Sequence, residues 1–203
     1  MMVEDGNLEI LKLLSTTSAE ISQGEVLQLQ HHGEIDMLEE TYLKIISAKT
    51  ASLFAAATKV GSIIANKENK IKDALEFYGK NLGLTFQIAD DTLDYNSELK
   101  IFGKEIGNDF YEGKITLPII LLYQKTNLDE KLYIKKIFEK NERTQEEFQK
   151  ILSMIKKYNI ILDCYKKAEH FINLASNSLS MFDDSKEKDI LKNLTSFSLE
   201  RTF

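Results

Sequence analysis

The sequence predicts an all-α fold. Apolar residues recur at helical spacing through most of the chain, no alternating run is long enough for a sheet, and several apolar segments open on residues that cap helices. With 203 residues, 43% of them hydrophobic, the chain can bury a sizeable core. No Ser/Pro/Gly linker, internal repeat or low-complexity segment divides it, so residues 1–203 read as one domain.

Taken in order, the periodicity places helices at about 7–30, 36–66, 68–97, 116–125, 129–140, 144–158, 160–181 and 185–198. The second opens on Asp36 with Glu39, an acidic start. Its apolar stripe is Tyr42, Ile46, Leu53, Ala56, Val60 and Ile64, with Lys44, Ser47, Thr58, Lys59 and Ser62 on the other side. The third ends in FQIADDTLDY, residues 86–95. Thr116 with Pro118 suits a first helical turn, and Thr144 with Glu147 makes a capping box. The stretch KIFGKEIGNDFYEGKIT, with Gly103, Gly107 and Gly113, is the only long one without helical pattern. A connection of that length in a compact bundle is usually functional.

The formal net charge is −6, and Lys and Arg are scattered among Asp and Glu, which argues against a nucleic-acid footprint. Cys164 is the only cysteine, so neither an internal disulfide nor a thiolate metal cluster can form; this favours the cytoplasm. The start of the chain is acidic where a signal peptide is basic, and ITLPIILLY is too short to span a bilayer. His31 and His32 read as surface residues at a helix end.

Asp90, Asp91 and Asp94 share a helical wedge about 100° wide, with Gln87 and Gly83 one and two turns earlier. Three like charges so close raise one another's pKa unless a cation neutralises them, and hard oxygen donors without His or Cys suit Mg²⁺. The same spacing also fits a solvated acidic helix end. Lys49 falls in the middle of the apolar stripe, where an ammonium points inward and needs an anionic partner, unless it snorkels out along its own stem. Lys104 and Lys114 flank Asp109 in the glycine-rich loop, a pattern suited to cradling a diphosphate. Carboxylates for metal, lysines for phosphate and a greasy helical interior describe a site for a diphosphate head with a hydrocarbon tail.

These strings resemble those of a known family. AKTASLF is similar to the Lys-Thr motif of the trans-isoprenyl diphosphate synthases, GLTFQIADDTLDY to their second aspartate-rich motif, and FGKEIGNDFYEGKITLPIILL to the loop that follows. EISQGEVLQLQ and Arg201 also fit, and the likeness is nearest to the long-chain, octaprenyl-type polyprenyl diphosphate synthases of bacteria. The resemblance implies an isoprenoid (terpenoid) synthase helical bundle with a central cavity, in which an allylic diphosphate ionises and isopentenyl diphosphate attacks the carbocation. It implies that Asp90, Asp91 and Asp94 bind Mg²⁺, with Asp90 the direct ligand, and that Lys104 and Lys114 hold diphosphate. Lys49, Thr50 and Gln87 would surround the developing cation and leaving group, and Phe86 would contact isopentenyl diphosphate.

The family pattern also includes a first aspartate-rich motif with basic residues around it. This chain has no second DDxxD and no arginine before Arg143, so the expectation is a domain that lacks its N-terminal helices. Such a chain is expected to form a homodimer or to associate with an N-terminal fragment or subunit. The competing reading is a non-catalytic helical subunit that modulates a complete synthase.

Overall fold

A computed structural model describes residues 6–96 and 106–200. Lys104, Gly103 and Arg201, all singled out above, lie outside the described residues. The described chain is helical, with no strand in it. The helices are α1 (Leu8–Gln30), α2 (Glu39–Ile46), α3 (Ser52–Ile64), α4 (Asn69–Leu93), α5 (Asn108–Glu112), α6 (Leu117–Lys125), α7 (Leu128–Phe138), α8 (Gln145–Lys157), α9 (Ile160–Ser178) and α10 (Lys186–Glu200). No helix among the described residues is long and apolar enough to cross a membrane.

α4 is the axis of the bundle, packed on α3, α9, α10 and α6. Its second half is buried nearly all round, from Tyr78 to Leu93, as expected of a helix with neighbours on every side. Ile88 is fully buried there, and the main core continues through Phe110, Leu117, Ile134, Ile151 and Cys164. A smaller cluster of Tyr78, Leu82, Ala175 and Leu179 joins α4 to α9.

Three expectations need correction. The segment read as one helix over 36–66 is two α-helices joined by a π-helical turn, Ser47–Ala51. Its first residue is Glu39, with Leu38 rather than Asp36 in the capping position. The π turn is wedged between neighbours that leave no room. A Cβ on Gly24 of α1 would stand 2.7 Å from the Lys49 backbone nitrogen, and one on Gly83 of α4 would stand 2.6 Å from Ala51 Cα. Glycine on both flanks lets two helices close on this turn, a tertiary demand that apolar periodicity does not register.

The glycine-rich stretch also holds a helix, α5, bracketed by Gly107 at φ +93° and Gly113 at φ +74°. Both are left-handed conformations that favour glycine. Residues 160–181 divide into α9 and a short 3₁₀ turn, Leu179–Met181. The capping box of Thr144 and Glu147 forms as read, and a second one, Asn127 with Glu130, starts α7.

Candidate active site

A cleft of about 130 Å³ opens where the π turn, the end of α4 and the α5–α6 connection meet. Lys49, Thr50, Gln87, Asp90, Asp91, Asp109 and Lys114 line it, with His31, His32 and Gln28 at its α1 edge. A larger cavity of about 740 Å³ lies on the other side of the π turn, among α1, α2, α3 and α4. It is lined by Glu20, Ala48, Ser52 and Leu84 of the quoted strings but by none of the residues to which the resemblance assigns a role. Six of the residues given a role, Lys49, Thr50, Gln87, Asp90, Asp91 and Lys114, line the smaller cleft.

The π turn accounts for the position of Lys49 and Thr50. An extra residue in the turn rotates the following side chains relative to a plain α-helix, and such turns recur at functional sites. Thr50 Oγ1 donates to Gln87 Oε1 at 2.8 Å, joining the turn to α4. Gln87 Nε2 donates to Asp91 Oδ1 at 2.8 Å, and the Tyr42 hydroxyl donates to Asp91 Oδ2 at 2.6 Å. Both oxygens of Asp91 are therefore engaged inside the protein.

The three aspartates of the motif do not converge. Asp90 and Asp91 line the cleft, whereas Asp94 is buried and caps the neighbouring element. Its Oδ2 accepts from the Asp109 backbone N–H at 2.8 Å and its carbonyl from the Gly107 N–H at 2.9 Å. Asp94, which follows the last residue of α4, still has helical backbone angles, φ −64° and ψ −18°, and it is the backbone N–H groups leading into α5 that take up its side chain and carbonyl. Asp109, brought in by α5, is the third carboxylate that lines the cleft.

Lys49 is not buried as its place in the apolar stripe implied. Its side chain keeps 35% of its exposure and is held by Glu25 Oε1 at 3.0 Å and Gln28 Oε1 at 2.8 Å, both on α1. The anionic partner is real, but it sits on the rim. Lys114 pairs with Glu112 at 2.6 Å and Asp109 at 3.4 Å. Phe86 stacks at a tilt on Phe54, ring centroids 5.4 Å apart, outside the cleft lining. His31 and His32, read as surface residues, edge the cleft, and His32 Nε2 lies 3.1 Å from the Glu112 carbonyl.

Negative charge in the cleft exceeds positive. Burial raises the Asp91 carboxyl to about 7, and the charge of Asp109 pushes it the same way, against the hydrogen bonds from Tyr42 and Gln87. Burial also raises Asp109, helped by Asp94 and opposed by Lys114. Burial pulls the Lys114 ammonium down, but Glu112 and Asp109 outweigh it and hold it up.

Among the described residues no three His, Cys, Asp or Glu side chains form a ready metal cage. A pair of hard carboxylates at the cleft, Asp90 and Asp109, nevertheless fits Mg²⁺ in its usual manner. That ion keeps waters and shares one or two carboxylates with substrate phosphates.

Tyr42, Asp109 and Gln28 were given no role in the site by the sequence, although Asp109 was placed between Lys104 and Lys114. Tyr42 carried a signal, a polar tip in an otherwise apolar stripe seven positions before Lys49, since a buried tyrosine hydroxyl usually finds a partner.

The bundle is that of the all-α isoprenoid synthases. It superposes on a polyprenyl synthase from Caulobacter crescentus CB15, complexed with calcium and isoprenyl diphosphate, with TM-score 0.94 and 35% identity, over 100% of this chain and 62% of that one. The polyprenyl synthetase family model matches residues 1–155, and the chain belongs to that family. It is 35% identical over 201 residues to the all-trans-nonaprenyl-diphosphate synthase (geranyl-diphosphate specific) of Rhodobacter capsulatus, covering 99% of this chain and 61% of that protein. It is 30% identical over 203 residues to heptaprenyl diphosphate synthase component 2 of Bacillus subtilis (strain 168), covering 100% of this chain and 57% of that protein. The chain thus spans about three-fifths of the length of these relatives.

Proposed function

We propose that this chain supplies one wall of a polyprenyl diphosphate synthase active site, in which isopentenyl diphosphate is added to an allylic diphosphate. The observation that carries the reading is the convergence of Lys49 and Thr50 from the π turn, Gln87 and Asp90 from α4, and Lys114 from the α5–α6 connection on one cleft.

In this reading Asp90 offers a carboxylate to Mg²⁺, with Asp109 as the second oxygen donor and Asp91 as support behind them. Bound there, the ion stabilises the negative charge that builds on a leaving diphosphate. Lys114, and Lys104 from the same loop, hold the diphosphate itself. Lys49, Thr50 and Gln87 face the cationic end of the allylic group, and Phe86 contacts isopentenyl diphosphate. Fixed dipoles and charges aimed at developing charge lower the ionisation barrier because they need no reorganisation during the reaction.

Two cleft-facing carboxylates would hold a diphosphate, through Mg²⁺, from one side only. We therefore infer that the working site needs further donors from a facing surface on a complementary chain. Similarity over the full chain to a protein named as a component supports that inference.

The test is incorporation of labelled isopentenyl diphosphate with Mg²⁺ and farnesyl diphosphate. The chain alone is expected to give background incorporation, rising when a protein fragment bearing a first aspartate-rich motif is added, and falling again in Lys49→Ala. Turnover by the lone chain that Lys49→Ala abolishes would overturn the need for a facing surface. Incorporation indifferent to Lys49→Ala under every condition would overturn the site.

A further inference from the structure

We propose that Tyr42 is a positioning residue that sets the polarity of the Thr50 and Gln87 pair, so that oxygen lone pairs rather than hydrogens meet positive charge in the cleft. The proposal deepens the prenyl-transfer reading and rests on it.

The argument runs along one chain of hydrogen bonds. At a pH high enough to ionise Asp91, its carboxylate only accepts. Asp91 Oδ2 takes the Tyr42 hydroxyl proton at 2.6 Å, and this bond is buried. The other oxygen, Oδ1, takes a proton from Gln87 Nε2 at 2.8 Å. An amide whose nitrogen is turned to a carboxylate must present its oxygen on the opposite side, and Gln87 Oε1 there accepts the Thr50 hydroxyl proton at 2.8 Å. A threonine hydroxyl has one proton and two lone pairs. With that proton committed to Gln87, the Thr50 oxygen at the cleft has only lone pairs to offer.

The order of donors therefore starts from Asp91, whose other oxygen is held in place by Tyr42, a side chain only 2% exposed. An amide is nearly symmetric in shape, so packing alone does not choose between its two orientations. Without the Tyr42 hydroxyl, Asp91 loses one of its two anchors and is free to rotate. Gln87 then loses the geometry that distinguishes its two orientations. With the amide turned over, the Thr50 hydroxyl must accept from Gln87 and point its own proton into the cleft, where it repels a cation.

The experiment is calorimetric binding to the full chain, with Mg²⁺ and inorganic diphosphate present, of a farnesyl-type tertiary ammonium compound and of its neutral hydrocarbon counterpart. Wild type is expected to prefer the cation. Tyr42→Phe is expected to lose about tenfold of that preference, the scale of one hydrogen bond to a charged group, while binding inorganic diphosphate with Mg²⁺ as before. Wild type that binds diphosphate and prefers the cation, with Tyr42→Phe retaining the full preference, overturns the positioning role and leaves the prenyl-transfer reading standing. Wild type that binds neither diphosphate nor the cation overturns that reading and the proposal with it.

If Tyr42→Phe does not fold, the Gln87 side-chain amide of the wild-type chain answers by NMR, identified by its absence in Gln87→Glu. One slowly exchanging amide proton is expected, and rapid exchange of both overturns the proposal.

Discussion

Asp91 is where burial and chemistry conflict most directly. Its carboxyl is 5% exposed, both oxygens are engaged, and burial raises it to about 7. An unfolded aspartate releases its proton near about pH 4, so between about 4 and 7 the folded chain holds more protons at this position than the unfolded one. Its contribution to stability is therefore present at low pH and is lost as pH rises through that window, with a slope of up to about 1.4 kcal/mol per pH unit. Carboxylates such as Glu147 and Asp184 are held low by lysine partners and act in the opposite sense. The difference between wild type and Asp91→Asn isolates the one group. Urea midpoints without added metal should show wild type losing ground to Asp91→Asn from about pH 4.5 to about pH 7.5. A flat difference across that range would show that Asp91 titrates normally.

At the scale of elements, the π turn between α2 and α3 sets the geometry of the cleft, and glycine sets the π turn. Gly83→Ala would gain about 1 kcal/mol of helix propensity but drive a methyl group against Ala51, 2.6 Å from a backbone carbon that cannot swing aside. Overpacking of this kind costs about 1–3 kcal/mol, so the clash wins. The expected outcome is a lower urea midpoint together with weaker binding of inorganic diphosphate with Mg²⁺, because α4 and the turn that carries Thr50 are pushed apart. A midpoint at or above that of wild type would mean that the two elements are not packed as closely as described. The helices flanking this junction were legible from periodicity and caps, the capping box of Thr144 and Glu147 being the clearest case. The π turn and α5 were not. An extra residue in one turn shifts the apolar pattern too little to register, and a helix of five residues between glycines has no full period to read.

At the scale of the whole molecule, apolar side chains remain exposed along α1 and α3. Leu29 is 72% exposed, Val26 55%, Leu53 54% and Ile64 70%. Single exposed leucines are ordinary, but contiguous apolar surface usually marks an interface. Sedimentation at micromolar concentration is expected to show a dimer or larger species, moved toward monomer by Leu29→Asp. A strictly monomeric wild type would contradict this.

The sequence by itself determined the helical class and the approximate helix limits, and it singled out Lys49, Thr50, Gln87, Asp90, Asp91 and Lys114 among the residues that line the cleft. Those features depend on local spacing: apolar residues at helical period, a capping residue, a run of acids at the end of a helix. Only the tertiary structure decided which carboxylates share the cleft. Asp94 is taken up by the backbone N–H of Asp109, and Asp109 itself arrives from a different element. Tertiary structure also decided that Lys49 meets Glu25 and Gln28 on a rim, and that Tyr42 reaches Asp91 from 49 positions away. Distances between residues remote in sequence depend on how helices pack, and packing is settled by close approach at positions such as Gly24 and Gly83, where a missing side chain leaves no periodic signal.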